Sequence, residues 1–457
     1  MIKQRLEVSN FGPIKEADID IKPLLVFIGP QASGKSTIAK LIYFFQQLPL
    51  EFFTRFYQSE RYYMDTTLDL IVPIREKFYD FFGSTFHLPV FSITYHYSEE
   101  KNLKLSLSST KKIEATFSKD FFTAKNKNTL KRNKTELLKI RTELAEDGSI
   151  AKKLMLEDRQ LQYLHSINDT INEIFSNSHN DQLFILAGRN ATVGYSETFE
   201  NMLRDNLQRN LEAQGRRAFE SKEQTIDETI MLSFMQRVVK MRQNFINLGN
   251  FDGMIEQSSK ELKPKLKLAN ELITTVLKGQ YSNSEFGERI VLDDKNYVYL
   301  KNASSGQQES IRILQDAFLS IYQGNNLLRI VEEPEAHVYP EAQMAIIELL
   351  VLMLNNSDNN NLIITTHSPY TLTVINNLIY AAKVGESNRD DVNAVIPQAL
   401  WLSIGNVAAY RIVSGKSEDI IDEEIHEIRA ELIDEISQSI SEQYDRMMSI
   451  EYDGKED

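Results

Sequence analysis

The spacing of apolar and polar residues divides the chain into two strand-rich segments on either side of a long helical stretch. Residues 4–28 contain two alternating strands, QRLEV and ADIDI, and then the continuous apolar run LLVFI, which is typical of a buried strand. Apolar residues then recur at helical spacing from about residue 35 to residue 47, and Pro49 predicts the end of that helix. This order predicts a strand, a loop and a helix near the N-terminus.

The middle of the chain has a different period. Leucine or isoleucine recurs every three, four or seven positions between residues 125 and 176, on both sides of Asp147-Gly148. The pattern predicts an antiparallel helical hairpin, a short coiled-coil arm with its tip near Asp147-Gly148 and a length of roughly 33 Å. The strand DQLFILAGR leads back toward the body, and residues 196–280 are again mostly helical and charged.

The second strand-rich segment alternates strands with helices. ERIVL and YVYL predict a strand pair, and the strands LLRIV and LIITT alternate with helices over residues 310–322 and 341–354. Because this alternation is typical of a partly parallel sheet covered by helices, we predict an α/β fold with a mixed sheet, interrupted by the helical insertion. The predicted segments are the N-terminal part of a head, 1–120, a helical hairpin, 121–180, a mostly helical insertion, 181–287, the C-terminal part of the head, 288–412, and an acidic helical tail, 413–457.

Composition restricts the kinds of site that the chain can carry. It has no cysteine, which excludes disulfides, thiolate zinc sites and cysteine nucleophiles. The net charge of −14 argues against a surface that binds nucleic acid throughout, but it allows a local basic patch. No apolar run reaches the roughly 18 residues of a membrane span and the N-terminus has no apolar leader, so we expect a cytoplasmic protein without a membrane partner.

The segment GPQASGKST stands between the strand LLVFI and the first helix. It matches the phosphate-binding pattern G-x-x-x-x-G-K-[ST] at every position. In such a loop, main-chain N–H groups surround the phosphates, the lysine (Lys35) reaches the β- and γ-phosphates, and the hydroxyl of Ser36 ligates Mg²⁺. We therefore predict a site for ATP and Mg²⁺ formed by Gly29, Pro30, Gln31, Ala32, Ser33, Gly34, Lys35, Ser36 and Thr37.

A second GKS sequence occurs at residues 415–417. Position 410 is tyrosine where the pattern needs glycine, and the segment that follows is strongly acidic. Because the acidic residues would repel a phosphate, we predict a solvated turn and a helix start here.

Three further motifs carry candidate chemistry. The strand LLRIV ends in Glu332-Glu333, and two adjacent residues of an extended strand point to opposite sides, which predicts separate roles for the two carboxylates. The segment Ser304–Gln308 precedes an amphipathic helix and is either a second anion site or a plain helix cap, and its sequence alone favours the cap. His367 ends the strand LIITT, and its candidacy depends on its place after the Glu-Glu strand.

In this order, the four elements resemble the ATP-binding-cassette (ABC) class, and within it the SMC-like DNA-repair ATPases and the OLD (overcoming lysogenisation defect) proteins. The resemblance covers about 1–50 and 288–412 and depends on NFGPIKEADIDI, GPQASGKST, ASSGQQES, VEEPEAHVYP and ITTHSPY. It implies an ABC-type head that forms a homodimer or a higher homo-oligomer with composite ATP sites. The signature residues Ser304, Ser305, Gly306 and Gln307 would close over the ATP of the partner.

The same resemblance implies roles for single residues. Glu332 would support Mg²⁺, Glu333 would be the general base, and His367 would contact the γ-phosphate. His337 and Pro340 would lie in the loop that crosses the dimer interface.

The chain departs from these relatives in three respects. It has neither very long coiled coils nor a cysteine zinc hook, and no Asp-x-Asp pair of a Toprim nuclease follows His367. The glutamine that usually lines the metal site has no clear counterpart, because Gln46 and Gln47 sit on the first helix and are poor candidates.

The function that the resemblance implies is ATP hydrolysis that controls another protein. Two-component anti-phage systems of the Septu and PARIS kinds contain similar ATPase subunits, so we expect the sensor or regulatory subunit of an antiviral defence system with a separate nuclease effector. One alternative is a chromosome-maintenance or DNA-repair ATPase that contacts DNA or RNA through the basic residues of the hairpin, 125–153, although a charged helix face explains those residues almost as well. Another is a nucleotide-gated scaffold with little hydrolysis.

Overall fold

The computed structural model describes residues 4–59, 67–145, 149–194, 226–429 and 442–448. The strands are β1 (Gln4–Phe11), β2 (Ile14–Ile21), β3 (Leu24–Ile28), β4 (Ser92–His96), β5 (Asn102–Leu107), β6 (Ile113–Phe117), β7 (Asp181–Ile185), β8 (Gln280–Ser284), β9 (Gly287–Val291), β10 (Tyr297–Tyr299), β11 (Leu327–Glu332), β12 (Asn361–Thr366), β13 (Val407–Val413), β14 (Lys416–Asp419), β15 (Ile421–Asp422) and β16 (Glu427–Ile428). The helices are α1 (Lys35–Gln58), α2 (Thr67–Phe82), α3 (Ala124–Ala145), α4 (Ile150–Ile174), α5 (Ala191–Gly194), α6 (Ile226–Asn247), α7 (Asn250–Gln257), α8 (Lys263–Leu277), α9 (Ser305–Gln323), α10 (Pro340–Leu354), α11 (Pro369–Gly385) and α12 (Arg389–Val395), with a last helical segment at 442–448.

Within the described residues, eleven strands form one mixed sheet in the order β6-β5-β4-β1-β2-β14-β13-β3-β12-β11-β7. The strands from β13 to β7 run parallel to one another, and β6, β5, β4, β1 and β2 form an antiparallel wing. This arrangement confirms the predicted α/β class with a mixed sheet. The two strand-rich segments share that sheet, because β3 lies between β12 and β13.

Strand β3 is buried on both faces. Leu24, Val26 and Ile28 belong to one hydrophobic core, whereas Leu25 and Phe27 belong to the core on the opposite face of the sheet. A strand buried on both faces has a continuous apolar sequence, which explains the run LLVFI. Because β3, β12 and β11 are parallel, their carboxyl ends meet at one edge of the sheet, where the segments that follow them also meet.

Helix α1 is longer than its sequence predicts. It continues through Pro49 to Gln58, so the predicted end near residue 47 is wrong. Pro49 lacks the N–H that would bond to the carbonyl of Phe45. The buried hydroxyl of Tyr97 donates to that carbonyl instead, at 2.8 Å. The proline therefore leaves no unsatisfied acceptor at this point of the helix.

The predicted helical hairpin is present as α3 and α4. Buried apolar residues lie along both helices, among them Leu130, Leu137, Ile167 and Ile171. The side chain of Asn133 on α3 also donates to the hydroxyl of Ser166 on α4, at 2.8 Å. The predicted tip, Asp147-Gly148, lies outside the described residues.

The strand predicted at DQLFILAGR is present, whereas the tail differs from the prediction. The predicted strand is β7, and it pairs with β11 as an edge strand of the main sheet. The tail was predicted to be helical from residue 413, which is wrong for residues 416–428, where β14, β15 and β16 lie. Ser414 and Gly415 both have positive φ, 53° and 80°, which is the two-residue turn of a β-hairpin. The predicted turn at the second GKS sequence is therefore present, but a strand follows it.

No helix in the described ranges is both long enough and apolar enough to span a bilayer.

Candidate nucleotide site

The loop between β3 and α1 has a conformation that requires glycine at two positions. Gly29 has φ 149°, and a Cβ there would lie 2.3 Å from the carbonyl oxygen of Ile412 on β13. Gly34 has φ 108°, and a Cβ there would lie 2.2 Å from Cδ1 of Ile14. Ala32 also has a positive φ, 57°, but it is exposed. The loop is thus held between β13 and the turn that joins β1 to β2.

Lys35 is the first residue of α1, and its ammonium group points back into the loop. Nζ donates to the carbonyls of Gly29, at 2.9 Å, and Pro30, at 2.8 Å. Burial lowers the pKa of Lys35, and the charges of Glu333, Glu335 and Glu332 act in the opposite direction. The lysine and the three carboxylates therefore lie close enough for their charges to interact, although they come from distant parts of the sequence.

The loop contains a hydroxyl group that can form a hydrogen bond with a ligand. The hydroxyl of Ser33 is buried and has no hydrogen-bond partner among the described residues. Ser36 and Thr37, in the first turn of α1, are half-buried, whereas Pro30 and Gln31 are exposed. The predicted residues thus form one continuous segment that runs from the end of β3 into the first turn of α1.

Glu332 and Glu333 occupy different environments at the end of β11. Glu332 is the last strand residue and is 7% exposed. Its Oε2 accepts from the N–H of Ala187 at 3.4 Å, and its Oε1 is buried without a hydrogen-bond partner among the described residues. Glu333 leaves the strand with φ 42°, while its N–H donates to the carbonyl of Thr365 at 2.8 Å. A left-handed residue, and not the alternation of an extended strand, therefore separates the two carboxylates.

His367 lies directly after β12, which is the neighbour of β11. Register pairs Glu332 with Thr365, so the two strand ends lie side by side. Nε2 of His367 lies 3.3 Å from Oε1 of Glu333. The structure thus brings the two predicted catalytic residues into contact.

The sequence motifs predicted no role for Glu335. In the structure its carboxylate forms hydrogen bonds with Thr366 and His367. Its Oε1 accepts from the hydroxyl of Thr366 and from the main-chain N–H of His367, both at 2.7 Å. The third carboxylate of VEEPEAH was the available signal, but its partners lie on another strand.

A protein-family model described as "AAA ATPase domain" matches residues 1–372. The chain belongs to this AAA ATPase family. The matched residues include the loop Gly29–Thr37, the segment Ser304–Gln307, both glutamates and His367.

The chain is similar, at low identity, to solved structures from two groups of proteins. One is the SMC head bound to the C-winged helix domain of ScpA, at 10% identity and a TM-score of 0.36, with 92% of this chain and 97% of that chain covered. Another is the SMC head domain from Thermotoga maritima, at 10% identity and a TM-score of 0.33, with 92% and 98% covered. The recombination mediator protein RecF, in a structure described as RecF-ATPrS in the RecFOR pathway, has 10% identity and a TM-score of 0.28, with 92% and 98% covered. The search of curated proteins finds no match.

In this AAA ATPase, the segment Ser304–Gln307 begins helix α9. Ser304 is the N-cap residue, and its hydroxyl accepts from the N–H of Gln307 at 3.3 Å while Oε1 of Gln307 accepts from the N–H of Ser304 at 3.0 Å. Gly306 packs so closely against the next loop that a Cβ would lie 2.6 Å from the carbonyl oxygen of His337. Ser304 and Ser305 are exposed. The cap that the sequence favoured is therefore present, and its hydroxyl residues face outward.

The described hydrogen bonds do not join the segment Ser304–Gln307 to the phosphate-binding loop. His337 is exposed and has a positive φ, 61°, in the loop between β11 and α10 that Pro340 closes. The loop of His337, which is predicted to cross a dimer interface, is therefore exposed on the AAA ATPase next to the segment Ser304–Gln307.

The residues at the loop fit a Mg²⁺ ion of the kind that accompanies ATP. The buried and unpartnered Oε1 of Glu332 is an oxygen donor of the type that Mg²⁺ prefers. No group of three or more histidine, aspartate or glutamate side chains in the described ranges could hold a metal alone. Such a group is not required, because Mg²⁺ in phosphate-transfer sites is bound by one or two protein ligands together with water and the phosphates.

Proposed function

We propose that this AAA ATPase binds ATP with Mg²⁺ at Gly29–Thr37 and hydrolyses it. The observation that carries the proposal is the convergence of Lys35, Glu333 and His367 at the carboxyl ends of three adjacent parallel strands. The phosphate-binding loop lies at the same edge of the sheet, and its conformation at positions 29 and 34 requires glycine. A lysine, an anion-binding loop and a carboxylate in contact with a histidine are the groups that phosphoryl transfer to water requires.

The chemistry follows from the position of each side chain. Glu333 is partly exposed and accepts a proton from the attacking water, while His367, 3.3 Å away, orients its carboxylate and faces the phosphate that is transferred. Lys35 exchanges its two neutral carbonyl acceptors for charged phosphate oxygens, which are stronger acceptors. Ser36 and Glu332 would hold Mg²⁺, which neutralises phosphate charge when it is bound.

The active form that we propose is a homodimer or higher homo-oligomer in which the signature segment of one subunit closes over the ATP of the other. Support comes from the exposed hydroxyl residues Ser304 and Ser305, which lie beside the exposed loop of His337. Analytical ultracentrifugation with and without ATP tests this arrangement. An ATP-dependent dimer is expected, and a monomer at every ATP concentration would contradict it.

Binding of ATP is tested by removing the lysine of the loop. Lys35→Ala should abolish binding in isothermal titration calorimetry, because the buried ammonium lies in the loop, where it donates to the carbonyls of Gly29 and Pro30. The second GKS sequence supplies a matched control, since Lys416 is exposed in β14 and Lys416→Ala should leave the affinity unchanged. Equal affinities of the wild type and Lys35→Ala would overturn the assignment of the site.

We further propose that this protein is the sensor or regulatory subunit of an anti-phage defence system. Its ATP hydrolysis would control a separate nuclease. The support is the resemblance of the motifs to the ATPase subunits of Septu-type and PARIS-type systems, which is an analogy at the level of the family. Co-expression with the product of the adjacent gene, followed by affinity purification, tests it. A nuclease that co-purifies and changes activity with ATP is expected. No association under either nucleotide condition would contradict the proposal.

The alternative is an ATPase that acts directly on DNA through the basic hairpin, and the structure weakens the sequence argument for it. Lys134 is buried and donates to the carbonyls of Phe56 and Ser59, at the end of α1. Arg141 donates to the carbonyl of Tyr57, and its guanidinium lies over the Tyr57 ring. These two cations therefore contact the end of α1, and Lys134 does not face solvent. Salt-dependent DNA binding by the chain alone would favour the alternative.

A further inference from the structure

A fully buried arginine lies between the signature helix and the two glutamates. Arg189 has an exposed fraction of 0% and follows β7, which pairs in parallel with β11. The loop after β7 therefore carries Arg189 to the edge of the sheet where Glu332 and Glu333 lie. Neither the binding of phosphate nor the proton transfer described above uses this residue.

The guanidinium of Arg189 donates to main-chain carbonyls on both sides of it. Nη1 donates to Glu332 at 2.6 Å and to Leu186 at 3.0 Å, and Nη2 donates to Glu333 at 3.0 Å. On the other side, Nε donates to the carbonyl of Glu309 on α9 at 3.0 Å. The main-chain N–H of Arg189 donates to Oε2 of the same glutamate, also at 3.0 Å.

These contacts need an arginine. Its guanidinium presents five donors in a rigid fork and keeps its charge, so it can hold several carbonyls in one fixed arrangement. One of these carbonyls belongs to Glu333, whose φ of 42° is unfavourable for a residue with a side chain. Glu309 is 1% exposed, and its carboxylate, 3.5 Å from Nε, balances the buried charge.

We propose that Arg189 is a positioning residue that couples the signature segment to the general base. The inference rests on the proposed function, because it concerns ATP hydrolysis between two subunits. Ser304–Gly306 and Glu309 belong to the first turns of the same helix. When the ATP of the partner subunit binds to Ser304–Gly306 and displaces this end of the helix, Glu309 moves with it. Arg189 transmits this displacement to the carbonyls of Glu332 and Glu333, and it sets the position of the Glu333 carboxylate. The two ATP sites of a dimer are thereby linked through each subunit.

Variants of Arg189 separate positioning from a purely structural role. Arg189→Met leaves the buried Glu309 unpaired and destabilises the protein, whereas Arg189→Met/Glu309→Gln removes both charges and restores most of the stability. A structural role predicts that activity returns with stability in the double variant. Positioning predicts that kcat stays at least tenfold below that of the wild type, while the dissociation constant for ATP stays within threefold. Arg189→Lys should recover only part of kcat, because an ammonium cannot reach all four carbonyls.

A second buried arginine supplies the matched control. Arg329 is also 0% exposed, but it lies near the start of β11, where it pairs with Asp316 and Asp181. Arg329→Met/Asp316→Asn should therefore change stability and leave kcat of the folded protein within threefold of the wild type. Wild-type kcat in Arg189→Met/Glu309→Gln would overturn the proposal, and so would an equal loss of kcat in the control.

Hydrogen exchange tests Arg189 independently of activity. In Arg189→Met/Glu309→Gln, the amides of Glu333 and Ala336 should exchange at least tenfold faster than in the wild type, because the left-handed residue loses its donor. Unchanged exchange at both amides would overturn the role of Arg189. A wild-type protein that hydrolyses no ATP would instead contradict the proposed function, so the two failures are distinguishable.

Discussion

Glu335 connects the loop after β11 to the segment of His367, and its removal is expected to affect both stability and turnover. Its Oε1 is the common acceptor of two hydrogen bonds, from the Thr366 hydroxyl and the His367 N–H, both 2.7 Å long. Hydrogen bonds to a charged group each contribute about 1.5–3 kcal/mol. In Glu335→Ala, the Thr366 hydroxyl keeps a second partner, the hydroxyl of Thr371 at 3.3 Å. The N–H of His367 then has no acceptor, so we expect a local loss of about 2–4 kcal/mol.

Hydrogen exchange at the His367 amide measures this loss directly. Since each 1.4 kcal/mol is a factor of ten, the exchange rate should rise roughly 30- to 700-fold in Glu335→Ala. Turnover should fall about 10- to 100-fold, because a displacement of about 1 Å at a reacting group can cost a factor of a hundred. Glu335→Gln keeps an acceptor oxygen without the charge and should lie between the wild type and Glu335→Ala in both measurements. Wild-type exchange and wild-type kcat in Glu335→Ala would refute this role.

Two further predictions concern the loop and the helix that follows it. Gly29→Ala should weaken ATP binding at least tenfold in calorimetry, because the added methyl group would lie 2.3 Å from a main-chain oxygen, whereas Ala32→Gly at an exposed left-handed position should keep the affinity within threefold. Tyr97→Phe should destabilise the protein by about 1–3 kcal/mol in urea unfolding, since it removes the donor to the helix carbonyl that Pro49 leaves without an N–H. Pro49→Ala supplies that N–H, so the same tyrosine substitution should cost markedly less in its background. Equal costs in the two backgrounds would contradict the explanation of the long helix.

Local sequence patterns predicted the elements whose partners lie close along the chain. The phosphate-binding loop is such a case, because the glycines and Lys35 act within nine residues between one strand and one helix. The continuous apolar run of β3 likewise indicated a buried strand, and the structure places it between two cores. In both cases, the physical cause lies in the segment itself.

Features that depend on distant residues were not predictable in this way. The helix passes Pro49 because the Tyr97 hydroxyl replaces a missing donor. Strand β7 borders Glu332 although 145 positions separate Ala187 from it, and no local pattern indicates that pairing. The same holds for Glu335, whose acceptor role is visible only when β12 lies beside β11.

The two glutamates combine a feature that the sequence predicted with one that it did not. Adjacent carboxylates indicated that Glu332 and Glu333 have different roles, and the structure gives them different partners. The predicted cause was the alternation of a strand, but Glu333 has left the strand with a positive φ. Its conformation depends on Arg189 and on the carbonyl of Thr365, neither of which is near it in sequence.

The measurement that tests the central proposal most directly is single-turnover ATP hydrolysis by Glu333→Gln, compared with Glu332→Gln and the wild type at saturating Mg²⁺. Removal of a general base typically costs a factor of about 10²–10⁴ in rate, and glutamine keeps the size of the side chain that contacts His367. We predict that Glu333→Gln binds ATP within threefold of the wild-type affinity and hydrolyses it at least a hundredfold more slowly. Near wild-type hydrolysis by Glu333→Gln, with loss of turnover only in Glu332→Gln, would contradict the account.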